Sequence, residues 1–72
     1  MTTPIHTRAA REFRALRIQV FGVGILAENA AAEHLGISWR TLRRYEAGHT
    51  LVPHAAVLAL RERLRAAMQE VA

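Results

Sequence analysis

The chain has 72 residues, room for one domain and one core, and a domain this small buries only roughly 60% of the surface its unfolded chain exposes. It contains no cysteine, which excludes disulfides, thiolate metal sites and thiol catalysis and leaves helix packing or self-association as the source of stability. The apolar share of 51% excludes an unstructured chain, and ten arginines against six glutamates, with no lysine or aspartate, give a formal charge of +4.

Residues 1–6 carry no pattern and are expected to be disordered. Thr7 is a candidate cap for a first helix from Arg8, with Glu12 near its positive end. Ala9, Phe13, Leu16 and Val20 recur at helical spacing and mark its buried stripe, while Arg8, Arg11, Arg14 and Arg17 fall off it. The helix is expected to fail at Phe21-Gly22. Gly22 and Gly24 then punctuate a short apolar connection. This pair of glycines reads as a hinge, because a lone GxG with no strand before it is weak grounds for a phosphate loop.

A second helix is expected from about Ala27 to Leu35, ended by Gly36, the residue that enters the left-handed conformation without strain. Ser38 is a good N-cap for a third helix reaching Ala47, and Gly48 closes it. Pro53 suits the first turn of a last helix, and nothing breaks helicity from there to Glu70. Val57, Leu60, Leu64, Ala67, Met68 and Val71 share one face of that helix. The expected fold is therefore all-α: a compact four- to five-helix bundle in one domain, with a long C-terminal helix over 53–70.

The N-terminus has neither a charged leader nor an apolar run, so no signal peptide is expected. Val20 to Ala27, the longest weakly polar stretch, is far too short to cross a bilayer. A cytoplasmic protein without a membrane partner is the expectation.

The informative segment is 28–47. Ala32 stands four residues before Gly36, Ile37 directly follows, and Leu42 and Tyr45 come at helical spacing. In a helix-turn-helix each has a physical task. Ala32 is small where the two helices cross, and Gly36 makes the sharp turn. Leu35, Ile37, Leu42 and Tyr45, with Ala31, fill the wedge that fixes the interhelical angle. The run from Ala31 to Gly48, AAEHLGISWRTLRRYEAG, resembles the Cro/C1 (XRE) family of helix-turn-helix regulators from phages and bacteria. The closest local likeness is Leu35-Gly36-Ile37-Ser38 followed by Arg44-Tyr45-Glu46-Ala47-Gly48, with weaker likeness over Arg17-Ile18-Gln19.

The resemblance implies a sequence-specific DNA-binding regulator, in the family's usual form a repressor, holding a palindromic operator as a homodimer. Ser38, Trp39 and Arg40 would open the recognition helix, where the family reaches base edges or nearby phosphates. Thr41 belongs to the same candidate surface. Arg44, one turn on, is a further base-edge candidate, and Arg43 a phosphate contact. Glu46 resembles the family's glutamate that pairs with a first-helix arginine, here Arg17, as a structural salt bridge. Two departures stand out. The connection between the first and second helices, Phe21 to Leu26, is longer than the family norm. Ala27 and Glu28 stand where many members place a glutamine that donates to phosphate, and a glutamate there repels DNA unless it faces away.

Several residues have two readings. Arginine offers a planar fork that matches phosphate and guanine, and a sequence pI near 11.4 fits a nucleic-acid partner; GC-rich coding also favours arginine over lysine. Arg40, Arg43 and Arg44 are a solvated face or a DNA-reading one, and the glycine turn and serine cap before them favour the second. Trp39 either touches a thymine methyl or a sugar, or folds back over Leu35 as a lid on the core. His49 and Thr50 follow the recognition helix, where phosphate contacts are common. The histidines lack the spacing of a metal site, so no metal or cofactor is expected. No carboxylate pair or nucleophile–base pair suggests an enzyme. Leu64, Met68 and Val71 would be left wet in a monomer, as a frayed tail or as the interface of a two-fold dimer that sets two recognition helices roughly 34 Å apart. Rival readings are an antitoxin-type or mobile-element autorepressor that also binds a protein, and a helical protein-interaction module without specific DNA binding.

Overall fold

In the computed structural model, which describes residues 6–71 apart from the side chain of Val71, the chain forms four helices: α1 (Thr7–Phe21), α2 (Ile25–Leu35), α3 (Trp39–Ala47) and α4 (His54–Val71). Each of the first three helices stops where the backbone needs a conformation that favours glycine. Gly22, at φ 92° and ψ −162°, occupies a region almost closed to residues with a Cβ, and it turns the chain from α1 into α2. Gly36 lies at φ 70°, in the left-handed region. There its N–H donates to Glu33 O and the Ile37 N–H reaches back to Ala32 O at 3.0 Å, a closure that satisfies the last carbonyls of α2. The same pair of bonds recurs at the end of α3, from Gly48 to Tyr45 O and from His49 to Arg44 O, both 3.2 Å.

Helix starts differ from expectation at two places. The first helix begins at Thr7, so the cap position belongs to His6, which makes no side-chain capping bond, and Glu12 lies beyond the first turn. His6 is ordered as well. Its N–H donates to Gly48 O at 3.4 Å and its carbonyl accepts from Ala10 N at 3.0 Å; the rest of the segment expected to be disordered, 1–5, lies outside the described residues. The second helix starts at Ile25 rather than Ala27. Gly24 begins it, and what reads as an apolar connection becomes its first turn.

The core lies where α1, α2 and α3 converge and the N-terminal half of α4 covers them. Phe13, Leu42 and Leu60 are fully buried, surrounded by Ala31, Ala32, Tyr45 and Val52. Phe13 meets Tyr45 edge to face, with ring centroids 5.8 Å apart, the arrangement aromatic quadrupoles prefer. Leu35 and Ile37 pack against this cluster, half-buried. The small side chains of Ala31 and Ala32 let α2 lie close to α3, joined to it by the turn Gly36–Ser38 alone.

The buried face of α1 is rotated from the expected stripe. Ala10, Phe13 and Arg17 are buried, while Ala9, Leu16 and Val20 are half-buried. Arg17, off the expected stripe but expected from the family resemblance to pair with Glu46, is only 3% exposed and makes that pair. α4 runs past the core: Leu60 is enclosed, Leu64 half-buried rather than wet, and every residue from Arg65 to Glu70 exposed. The molecule is accordingly elongated, 46 × 21 × 19 Å. No helix among the described residues is long and apolar enough to cross a membrane.

Candidate nucleic-acid interface

The third helix is short, nine residues, and its two faces divide cleanly. At about 100° per residue, Leu42 and Tyr45 point together into the core, and Arg40, Arg43, Arg44 and Ala47 share the opposite side. All four of the latter are exposed. Ser38 starts the helix: its Oγ accepts from Thr41 N at 3.1 Å and donates to Thr41 Oγ1 at 2.9 Å. Two residues expected to face DNA are thereby engaged with each other at the cap. No acidic residue sits in the first turn of α3, so nothing within the helix offsets the positive end of its dipole.

The basic face borders an open groove of about 530 Å³, lined by Arg14, Arg40, Arg43, Arg44 and His49, with Trp39 and Glu46 at its sides and Ala47 between them. Thr50 is exposed but does not line it. Arg14 is a residue that the sequence places off the buried stripe of the first helix without assigning it a role. The signal for it was available: once Arg17 pairs with Glu46 of α3, Arg14, one turn earlier on the same helix, must stand beside α3 as well.

The orientation of α3 against α1 rests on that pair. Arg17 Nε donates to Glu46 Oε2 and Nη2 to Oε1, both at 2.8 Å, and the remaining arm, Nη1, donates to Gly22 O at 2.7 Å. The guanidinium thus binds the carboxylate as a two-pronged fork and also ties down the turn between α1 and α2. With side chains 3% and 8% exposed, both charges are out of water, a state tolerated only because each satisfies the other. The hydrogen bond to Glu46 raises the Arg17 pKa above its ordinary value against the opposing effect of burial.

A second polar cluster joins α2 to α3. The Trp39 indole Nε1 donates to Glu28 Oε1 at 3.0 Å, and Arg43 Nη1 donates to the same oxygen at 3.2 Å. The Arg43 guanidinium also lies over the Trp39 ring, 5.4 Å from its centroid, within cation–π range. Trp39, 39% exposed, therefore follows neither expected reading in full: its polar edge is anchored to Glu28 of α2, and part of its ring remains open beside the groove. Glu28 does not face away from the basic surface. Its charge is met instead by Trp39 and Arg43, and the Trp39 hydrogen bond, followed by that of Arg43, holds its carboxyl below the ordinary 4.5.

Of the residues expected at a dimer interface, Leu64 is half-buried and Met68 is 66% exposed, and the side chain of Val71 lies outside the described residues. Leu64 and Met68 border a shallow apolar groove with Arg61, Arg65 and Gln69. Among the described residues no group of three histidine or acidic side chains is placed to hold a metal; His34 instead packs its ring against Phe21, centroids 5.7 Å apart. No known protein family, curated protein or solved structure matches this chain.

Proposed function

We propose that this chain is a sequence-specific DNA-binding regulator of the helix-turn-helix class, with α2 and α3 as its two helices and α3 docked in the major groove. The observation that carries this reading is the basic face of α3: Arg40, Arg43 and Arg44 open on one side, flanked by Arg14 and His49 around a single groove. The guanidinium groups of Arg14, Arg40 and Arg44, brought together by the packing of α1 on α3, supply phosphate-directed, salt-dependent attraction of the kind that dominates binding to DNA. The glycine turn and serine cap set the start of α3 so that Leu42 and Tyr45 pack inward while its basic face lies open, an arrangement suited to base reading in a major groove. Arg44, with no partner drawn from the α2 cluster, is the candidate for the bidentate base contact; Arg40 and Arg14 fit phosphates.

The exposed end of α4 supports the second half of the proposal. A homodimer closed through Leu64 and Met68 presents two recognition helices to a palindromic operator, as expected for a repressor acting by occupying a promoter. A small cytoplasmic regulator of phage or mobile-element origin is the corresponding biological setting. The same apolar end favours one rival, a protein-interaction module, or an autorepressor that also holds a protein partner there.

Selection from a random duplex library at two salt concentrations tests the reading. The expected result is an enriched palindromic site whose affinity falls steeply with salt. Arg44→Ala is expected to lose about 1–3 kcal/mol on that site and clearly less on random duplex. Absence of binding to any duplex would overturn the proposal in favour of the interaction module.

A further inference from the structure

We infer that Glu28 is a built-in competitor for DNA phosphate, one that withholds Arg43 from the duplex and so sets how strongly the basic face binds nucleic acid of any sequence. The inference rests on the DNA-binding reading above and concerns the regulation of that same surface. Three groups from two helices meet at one atom. Glu28 Oε1 receives both the Trp39 indole N–H and an Arg43 N–H, at 3.0 and 3.2 Å. Arg43 is further steadied by the Trp39 ring beneath it.

The carboxylate is well placed for this role. Its side chain is only 12% exposed, whereas that of Arg43 is 57% exposed, so the acid is fixed and the base is the mobile partner. A carboxylate, like a backbone phosphate, offers a guanidinium a singly charged anionic oxygen acceptor. For Arg43 to reach DNA it must leave Glu28 and the face of Trp39, and the carboxylate it leaves behind then repels the backbone. Among the ion pairs of the described residues, Arg40 and Arg44 have no such acid partner. The groove therefore holds two kinds of arginine on one helix, available and held back. Because the withheld contact is to phosphate and common to every sequence, its absence lowers affinity and salt dependence on specific and random duplex alike and leaves base contacts intact.

The test compares wild type with Glu28→Gln, Glu28→Gln/Arg43→Ala and Glu33→Gln, by fluorescence anisotropy on a labelled random-sequence duplex over a salt series. Glutamine keeps an oxygen for the Trp39 indole and so preserves the anchor between α2 and α3, which circular dichroism verifies. Glu33 is exposed on the same helix, and its neutralisation adds the same net charge without touching Arg43. One additional phosphate contact steepens the dependence of log K on log salt by about 0.9, so raising salt from about 50 to about 200 mM is expected to cost Glu28→Gln about 3.5-fold more affinity than wild type. The double variant, with the same formal charge as wild type, is expected to return to the wild-type slope, and Glu33→Gln to keep it. If all four chains bind with one common slope, the DNA-binding reading stands and the inference about Glu28 is overturned. A Glu33→Gln slope as steep as that of Glu28→Gln overturns it too, by reducing the effect to net charge. If no chain binds duplex at all, the DNA-binding reading itself fails, and this inference with it.

Discussion

Removing Glu46 tests whether the buried ion pair between α1 and α3 determines the stability of the domain. In Glu46→Ala the Arg17 guanidinium stays at a position 3% exposed with a single acceptor, the neutral carbonyl of Gly22, in place of a carboxylate. Breaking a buried pair from one side costs about 3–5 kcal/mol, because the charge left behind has neither water nor counter-charge. The whole domain, at 72 residues, has a stability on the order of 4–11 kcal/mol, so this one side chain carries a large share of it. In a domain of this size each kcal/mol shifts the melting temperature by about 4–8 °C. Thermal melting followed by far-ultraviolet circular dichroism is therefore expected to show a fall of about 12 °C or more, or a chain already unfolded near room temperature. Arg17→Met/Glu46→Leu, which removes both charges and keeps the volume apolar, is expected to recover most of the loss. A fall of less than about 4 °C in Glu46→Ala, equivalent to under about 1 kcal/mol, would refute the reasoning: it would mean that water reaches Arg17 readily and that the pair contributes no more than a surface salt bridge.

Leu60→Ala, at a fully enclosed position of α4, is expected to cost about 2–5 kcal/mol by urea denaturation. Met68→Ala, on the exposed end of the same helix, should change monomer stability by no more than about 0.5 kcal/mol, and a stability that rises with protein concentration in wild type but not in this variant would reveal self-association through α4. The Glu28 carboxyl, held below 4.5 by Trp39 and Arg43, contributes stability at higher pH that is lost as pH falls through its lowered folded value. Trp39 is the sole tryptophan, so its emission is expected to change with a midpoint below 4.5 and to lose that transition in Glu28→Gln; a wild-type midpoint at or above 4.5 would contradict the clamp.

Local chemistry carries much of this fold. Gly36 and Gly48 stop their helices because a left-handed residue is needed there, and Ser38 starts α3 because its hydroxyl reaches the Thr41 amide. Such signals act over a few residues, so they are legible in the chain itself, as are the all-α class and the segregation of Arg40, Arg43 and Arg44 from Leu42 and Tyr45. The start of α2 was less legible. Ile25 and Leu26, exposed in its first turn, have the composition of an apolar connection, and helix propensity alone does not separate the two.

What the tertiary structure decided is the fate of the charges. A periodicity of apolar residues assigns Arg17 to solvent; it lies in the core because Glu46, 29 positions away, is brought to it by the packing of α3 on α1. Arg14 belongs to the α3 groove for the same reason, and Glu28 is compensated rather than turned away because the α2–α3 angle brings it to Trp39 and Arg43. A buried or clustered charge is stable only beside a partner, and that partner comes from another helix. Sequence alone thus determined the all-α class, the ends of α2 and α3, the start of α3, and the division of α3 into a basic and an apolar face. The packing of the helices against one another determined how deeply the Arg17–Glu46 pair is buried, which arginine is restrained by Glu28, and which stand free in the groove.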